Sequence, residues 1–240
     1  MRLKIICSLD NEQVPLDYRS KILMIIKTGL AKEHPSVFSN LYDSNKQKEF
    51  TFSVYFRDAK FDKGEITVAG KEVVINFSTG NVELAIPFYN AFITQRWETI
   101  KVSEKCNLQI QRVEMIKTRE LTGDSICFKT LSPIVCRDHN QETYKDWFYD
   151  YSDEEFESIL KRNLQSKLEK KYGSFVAEDI KKVSITPINM KKTVVLHYDL
   201  YMACSIGLLK IEAPQYMLEY MASSGLGSIT GMGFGMLEQV

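Results

Sequence analysis

Apolar and polar residues alternate at the start of the chain. Leu3, Ile5 and Cys7 stand between charged or polar neighbours, which predicts a strand. Pro15 sits where a helix can begin, and Ile22, Leu23, Ile26 and Leu30 follow at helical spacing, predicting a helix over about 16–32. His34-Pro35 breaks it, and a short helix over 36–42 follows. The run KEFTFSVYF predicts a strand with Phe50, Phe52, Val54 and Phe56 on one face and Thr51, Ser53, Tyr55 and Arg57 on the other. Two strand runs, GEITVAG and KEVVINFS, read as a hairpin turning at Ala69-Gly70. A second helix is predicted over 82–94, with Pro87 near its start, then a strand over 100–116. The apolar parity of that strand switches between Ile110 and Val113, predicting a bulge near Gln111.

The second half repeats this order. A strand run over 125–135 precedes SDEEFESILKRNLQSKLEKKYG, the clearest helix, with Ser152 and Glu155 placed as a capping box and Phe156, Ile159, Leu160, Leu164 and Leu168 as its buried stripe. Lys161, Arg162 and Lys167 alternate with acids and read as a solvated face. Residues 182–186 and 193–198 read as a hairpin across Asn189-Met190-Lys191. A strand over 202–211 and a helix opened by Pro214 complete the set. The fold class expected is α+β, two tandem ferredoxin-like (RRM-like, βαββαβ) domains, residues 1–120 and 121–240, divided in the charged stretch near Lys117 to Gly123.

Composition changes this picture little. Lys plus Arg and Asp plus Glu number 31 each, so net charge predicts no polyanion partner, and any RNA surface must come from uneven distribution. Cys7, Cys106, Cys127, Cys136 and Cys204 are scattered with no CxxC, which argues against a disulfide framework and a zinc site; most read as buried small hydrophobes. No cofactor fingerprint and no metal-ligand spacing is visible. The opening residues turn polar too soon for a signal peptide and no long apolar run suggests a membrane span, so a cytoplasmic protein without a membrane partner is expected.

The most unusual stretch is GLGSITGMGFG. Five of its eleven residues are glycine, against twelve in the whole chain. Such a run is either a shaped loop whose N–H groups cradle a phosphate or a tight connection between a helix and a final strand. No Lys-Ser or Lys-Thr pair follows, so it is not a Walker loop.

Gly225-Leu226-Gly227, the spacer Ser228-Ile229-Thr230, then Gly231-Met232-Gly233-Phe234-Gly235-Met236 resembles the glycine-rich loop of the CRISPR repeat-processing endoribonucleases of the RAMP superfamily. Thr130-Leu131-Ser132-Pro133-Ile134, Phe50-Thr51-Phe52-Ser53 and GLLKIEAPQYMLEYMASSGLGS resemble further segments of that family, so the likeness covers nearly the whole chain. The resemblance implies binding of CRISPR repeat RNA and metal-independent cleavage, in which the RNA 2′-hydroxyl attacks the adjacent phosphate and leaves a 2′,3′-cyclic phosphate. It also implies effector-complex subunits or a homodimer as further partners.

That chemistry needs proton transfer and positive charge beside the phosphorane. The family's histidine follows a leucine before the Phe-Thr-Phe-Ser strand; the matching pair here is Leu41-Tyr42. The family's lysine matches Lys48, with Lys46 a near neighbour, and its first-helix tyrosine falls nearest Lys27. His34, in a predicted exposed loop, is a candidate replacement for the histidine, against a reading as a solvated loop residue. His197, mid-strand, reads as a satisfied sheet residue. RNA-binding candidates are Lys46, Lys181, Lys182, Lys191 and Lys192, with Gly225, Gly227, Ser228, Thr230, Gly231, Gly233 and Gly235 of the loop. Tyr42 in place of the histidine also fits a family member that binds without cutting; a structural RAMP subunit of an effector complex is a further alternative.

Overall fold

The computed structural model describes residues 1–43, 47–140 and 142–240. Lys46 therefore lies outside the described residues. The first half contains β1 (Arg2–Leu9), β2 (Gln13–Pro15), α1 (Tyr18–Glu33), α2 (Pro35–Tyr42), β3 (Phe50–Phe56), β4 (Ala59–Phe61), β5 (Glu65–Val68), β6 (Glu72–Thr79), α3 (Val82–Ile93), β7 (Ile100–Lys101) and β8 (Asn107–Ile116). Among these residues the main antiparallel sheet has the order β3-β6-β1-β8-β7. That is the ferredoxin-like order, with α1 and α3 packed on one face over Leu3, Ile5, Phe50, Phe52, Ile75 and Phe77.

The second half contains β9 (Ser125–Thr130), β10 (Cys136–His139), β11 (Asp146–Tyr149), α4 (Phe156–Tyr172), α5 (Val176–Asp179), β12 (Ser184–His197), β13 (Leu200–Glu212), α6 (Gln215–Ser224) and β14 (Leu237–Gln239). Its sheet runs β12-β13-β9-β14, the same topology again. The fold is thus a tandem ferredoxin-like pair. The stripe read on α4 is buried, as Phe156, Ile159, Leu160, Leu164 and Leu168 join Phe128, Leu209 and Ile211 in the second core.

Several local expectations are corrected. The hairpin does not turn at Asn189-Met190-Lys191: β12 runs unbroken from Ser184 to His197, and a register shift at Pro187/Asn189 absorbs the proline. The chain reverses at Tyr198-Asp199, both in the left-handed region, φ 48° and 60°. β5 does not pair with β6; it joins β2 and β4 in a side sheet, while β6 pairs with β3 and β1. Ser152 does not cap α4, because its hydroxyl is spent on Asp150 at 2.6 Å and the helix starts at Phe156. The strand over 125–135 ends at Thr130, where the N–H of Leu131 turns to Met236 O. The bulge near Gln111 is present: Ile6 faces Arg112 and Cys7 faces Ile110, leaving Gln111 over. Four cysteines are buried and Cys127 is exposed. Among the described residues no helix is long and apolar enough to cross a membrane, and no cluster of metal-ligating side chains forms.

On β3, residues of both parities are buried from Phe50 to Ser53. One face meets the helices. On the other, Thr51 donates to Phe234 O of the glycine-rich segment between α6 and β14, and Gly231 and Gly233 of that segment lie beside the Phe50 and Phe52 rings, so the two halves of the chain meet on this strand.

Candidate functional site

Most of residues 225–237 is buried. The segment spends many of its N–H groups on its own surroundings. Leu226 N–H donates to Gly235 O, Ser228 N–H to Val135 O, Gly235 N–H to Pro133 O, and Met236 N–H to the Ser132 hydroxyl. A row of exposed donors is therefore not what the loop presents, and Ser228, Ile229 and Met232 are its partly exposed residues. Glycine is required for close approach. A Cβ on Gly235 would lie 1.8 Å from Leu226 O, at φ 67°, and one on Gly231 would lie 2.7 Å from Lys48 Cβ.

The carbonyls of the segment are held by donors from three elements and from β1. Arg19 Nε donates to Gly233 O at 3.2 Å, Thr51 Oγ1 to Phe234 O at 2.8 Å and Lys167 Nζ to Gly227 O at 2.6 Å; Arg2 donates to Leu237 O. Arg19 is buried between aromatic faces, its guanidinium 4.8 Å from the Phe234 ring centre and 4.6 Å from that of Tyr18. Lys167 is buried, so it is not a solvated helix-face residue as its spacing suggests. Lys161 Nζ likewise reaches Val183 O at 2.6 Å, and Arg162 pairs with Asp138 at 2.7 Å. Three cations, Arg2, Arg19 and Lys167, lie against a segment that carries no charged side chain, which biases it toward anions.

Beside Gly231 the structure brings together Lys27 of α1, Tyr42 at the end of α2 and Lys48 just before β3. The Nζ atoms of Lys27 and Lys48 stand 4.7 and 5.5 Å from the centre of the Tyr42 ring. The Tyr42 hydroxyl is buried with no hydrogen-bond partner among the described residues. Burial, and secondarily Tyr198, push its pKa above the ordinary phenol value, so it is protonated at neutral pH and can donate but not accept a proton. Burial, then Lys27, lower the Lys48 pKa from its ordinary value.

His34 does not join this group. It caps α2 at the opposite end, about 12 Å from Tyr42 at the helical rise. It is half-buried rather than exposed, its Nε2 3.1 Å from Asn90 Nδ2. His197 is buried, its Nδ1 3.1 Å from Asp17 Oδ1, its ring 5.5 Å from that of Phe234, and its Nε2 without a partner among the described residues. It is thus only half satisfied. Burial lowers its pKa below the ordinary value, against the opposing pull of Asp17.

The expected RNA lysines are dispersed. Lys181 and Lys182 pair with Glu178 and Asp179 one turn back, at 2.7 and 2.8 Å. Lys192 reaches the buried Asp150 carboxylate at 2.7 Å, and Lys191 is exposed on β12. The exposed Lys181 and Lys182 pairs contribute little to stability. A concavity of about 1090 Å³ has Arg2, Lys4, Lys117, Arg119 and Lys171 on its walls, and it also carries Glu120, Glu219 and Glu238.

A tandem ferredoxin-like pair closed by a glycine-rich segment, with cations at the junction, defines a protein of the RAMP type. The family model described as CRISPR associated protein Cas6, C-terminal, matches residues 116–239. The chain belongs to the Cas6 family, and thereby to CRISPR repeat-RNA processing at the family level. A CRISPR-associated endoribonuclease-like protein Cas6nc of Pyrococcus horikoshii is 24% identical over all of this chain and 99% of its own length. The corresponding Cas6 of Pyrococcus furiosus is 21% identical over 99% of this chain and 97% of its own. Among solved structures, a Cas6-related protein from Pyrococcus furiosus superposes with a TM-score of 0.86 at 21% identity, covering 100% of this chain and 98% of that one. A RAMP protein binding different RNA substrates gives 0.86 at 22%, covering 100% and 99%. A Cas6 product complex gives 0.73 at 14%, with both chains fully covered.

Proposed function

We propose that the protein is a metal-independent endoribonuclease that binds CRISPR repeat RNA in the precursor transcript and cuts it to release guide RNAs. The observation that carries this reading is the Lys27–Tyr42–Lys48 cluster, packed through Lys48 against Gly231 of the glycine-rich segment. It rests on two domains, residues 1–120 and 121–240, that grip RNA at their junction. The RNA backbone follows the partly exposed face of residues 228–232 and the Lys191 strand. Related solved structures named for RNA substrates and for a product complex support the partner class.

In the reaction the 2′-oxygen forms a bond to phosphorus, the bond from phosphorus to the 5′-oxygen breaks, and a 2′,3′-cyclic phosphate and a 5′-hydroxyl remain. Lys27 and Lys48 offset charge on the phosphorane. Tyr42 donates the proton that the leaving 5′-oxygen needs, and the proton of the attacking hydroxyl goes to solvent. His34 at the far end of α2 is the alternative proton carrier. No step uses a metal or cofactor.

A second reading, a family member that holds repeat RNA without cutting, is favoured by one observation: the Tyr42 hydroxyl is covered, so donation requires RNA to uncover it. Incubating the protein with its host's repeat RNA and with a scrambled RNA of equal length, in excess chelator, tests both. Cutting at one position in the repeat alone supports the nuclease. Tight repeat binding with no product supports the second reading. Equal affinity for both RNAs and no product contradicts both.

A further inference from the structure

The geometry points to a phosphate subsite at Ser228, set by Asn163 and Lys167, two residues one turn apart on α4 that neither the family motif nor the sequence pattern marks. It rests on the reading that residues 225–235 hold RNA. Asn163 Nδ2 lies 2.9 Å from Arg137 O and 3.2 Å from Ser228 Oγ. A carbonyl oxygen only accepts, so the contact with Arg137 O fixes which end of the amide is nitrogen. Both hydrogens of that nitrogen are then committed, one of them to Ser228 Oγ. The Ser228 oxygen accepts, and its own hydrogen is left to donate outward. Ser228 is partly exposed, so an RNA phosphate oxygen can receive that hydrogen.

Lys167 supplies the charge. Its ammonium donates to Gly227 O at 2.6 Å, on the peptide that leads into Ser228, whose N–H is fixed by Val135 O. No ion pair compensates Lys167 among the described residues. Nearby charges are committed elsewhere: Arg162 to Asp138, Arg137 and His139 to Asp146, and Lys171 to Glu49, while Glu169 accepts from Gln165. The glycine-rich segment contributes no titratable side chain. A buried cation one peptide from a polarised hydroxyl is costly unless an anion arrives. Burial pushes the Lys167 pKa down to about 8. A phosphate at Ser228 favours the charged form, so RNA binding takes up a proton as pH rises through that value.

Asn163 and Lys167 are positioning residues, and the test uses Asn163→Asp, Lys167→Met and Ser228→Ala in the full chain, with the host's repeat RNA as probe. Aspartate has the shape of asparagine but its carboxylate only accepts, so Asn163→Asp turns the Ser228 hydrogen inward. Ser228→Ala should weaken binding about tenfold, the scale of a hydrogen bond to a charged group; Asn163→Asp should weaken it at least as much, because its carboxylate also repels the phosphate, and the double variant should lose no more than Asn163→Asp alone. Lys167→Met should weaken binding at about pH 7, with the wild-type advantage fading toward pH 9 as Lys167 loses its proton. Thermal melts identify folded variants. Additive losses in the double variant, or a wild-type to Lys167→Met affinity ratio constant with pH, overturn the subsite and leave the proposed function standing. Absence of repeat binding by the wild-type protein overturns both.

Discussion

Replacing Gly231 by alanine probes the junction between the glycine-rich segment and the candidate catalytic cluster. Gly231 does not need a positive φ, so alanine there is opposed by contact alone. Its Cβ would lie 2.7 Å from Lys48 Cβ, 3.2 Å from Lys48 Cγ and 3.3 Å from Phe50 Cζ. A Cβ cannot swing away as the tip of a side chain can, and Phe50 is fully buried, so the backbone carrying Lys48 must shift. Overpacking of this size costs about 1–3 kcal/mol. For a chain of this length each kcal/mol lowers Tm by about 2–4 °C, giving a fall of about 2–12 °C. Displacing Lys48 by about 1 Å should slow single-turnover cleavage by about a hundredfold. Differential scanning calorimetry and quench-flow with repeat RNA read the two effects. Adding Lys48→Gly removes the clashing atoms, so the double variant should regain most of the lost Tm while remaining slow. A Gly231→Ala protein with wild-type Tm and cleavage rate would refute the contact, and with it the claim that the loop positions Lys48.

Further outcomes follow from the same geometry. Gly235→Ala, whose Cβ would meet Leu226 O at 1.8 Å, should abolish cooperative folding in a thermal melt. His197 has a folded pKa below its ordinary 6.5, so the unfolded chain binds more protons as pH falls below that value; stability present above about pH 6.5 should be lost on acidification, and a His197→Phe variant should show a flatter Tm–pH profile. Lys48→Ala should slow single-turnover cleavage by about a hundredfold or more with little change in RNA affinity, Tyr42→Phe should slow it on a similar scale, and His34→Ala should leave it within about twofold. Excess chelator should leave the rate unchanged, and restoration of a chelator-sensitive activity by magnesium or zinc would defeat the proposed chemistry.

The two ferredoxin-like halves are legible because their strands alternate and their helices carry apolar stripes at helical spacing. Sequence and structure part where a local rule meets a tertiary demand. Asn189-Met190-Lys191 reads as a turn, but a bulge at Pro187/Asn189 lets the strand continue, and the reversal falls at Tyr198-Asp199, where no glycine signals it. The capping box does not form because Ser152 bonds within the preceding turn. At the site, the glycine pattern and the Lys48 and Tyr42 positions are visible by resemblance. Arg2, Arg19 and Lys167 are not, since a buried cation bonded to a backbone carbonyl reads in sequence as one more polar residue. The one local clue is the polar face of β3: the Thr51 hydroxyl, opposite a row of phenylalanines, can hold a backbone carbonyl, and it holds Phe234 O of the glycine-rich segment.

The proposed chemistry stands on the RNA's own 2′-hydroxyl doing the cutting, beside Tyr42 and Lys48 and without metal. Once the cut position is mapped on unmodified repeat RNA, the direct measurement is single-turnover cleavage, in chelator, of the same RNA carrying a single 2′-deoxy nucleotide immediately 5′ to the scissile phosphate. The modified strand should bind with unchanged affinity and give no product, and the product of the unmodified one should carry a 2′,3′-cyclic phosphate. Cleavage of the 2′-deoxy strand at the same position and a comparable rate would rule out attack by the 2′-hydroxyl.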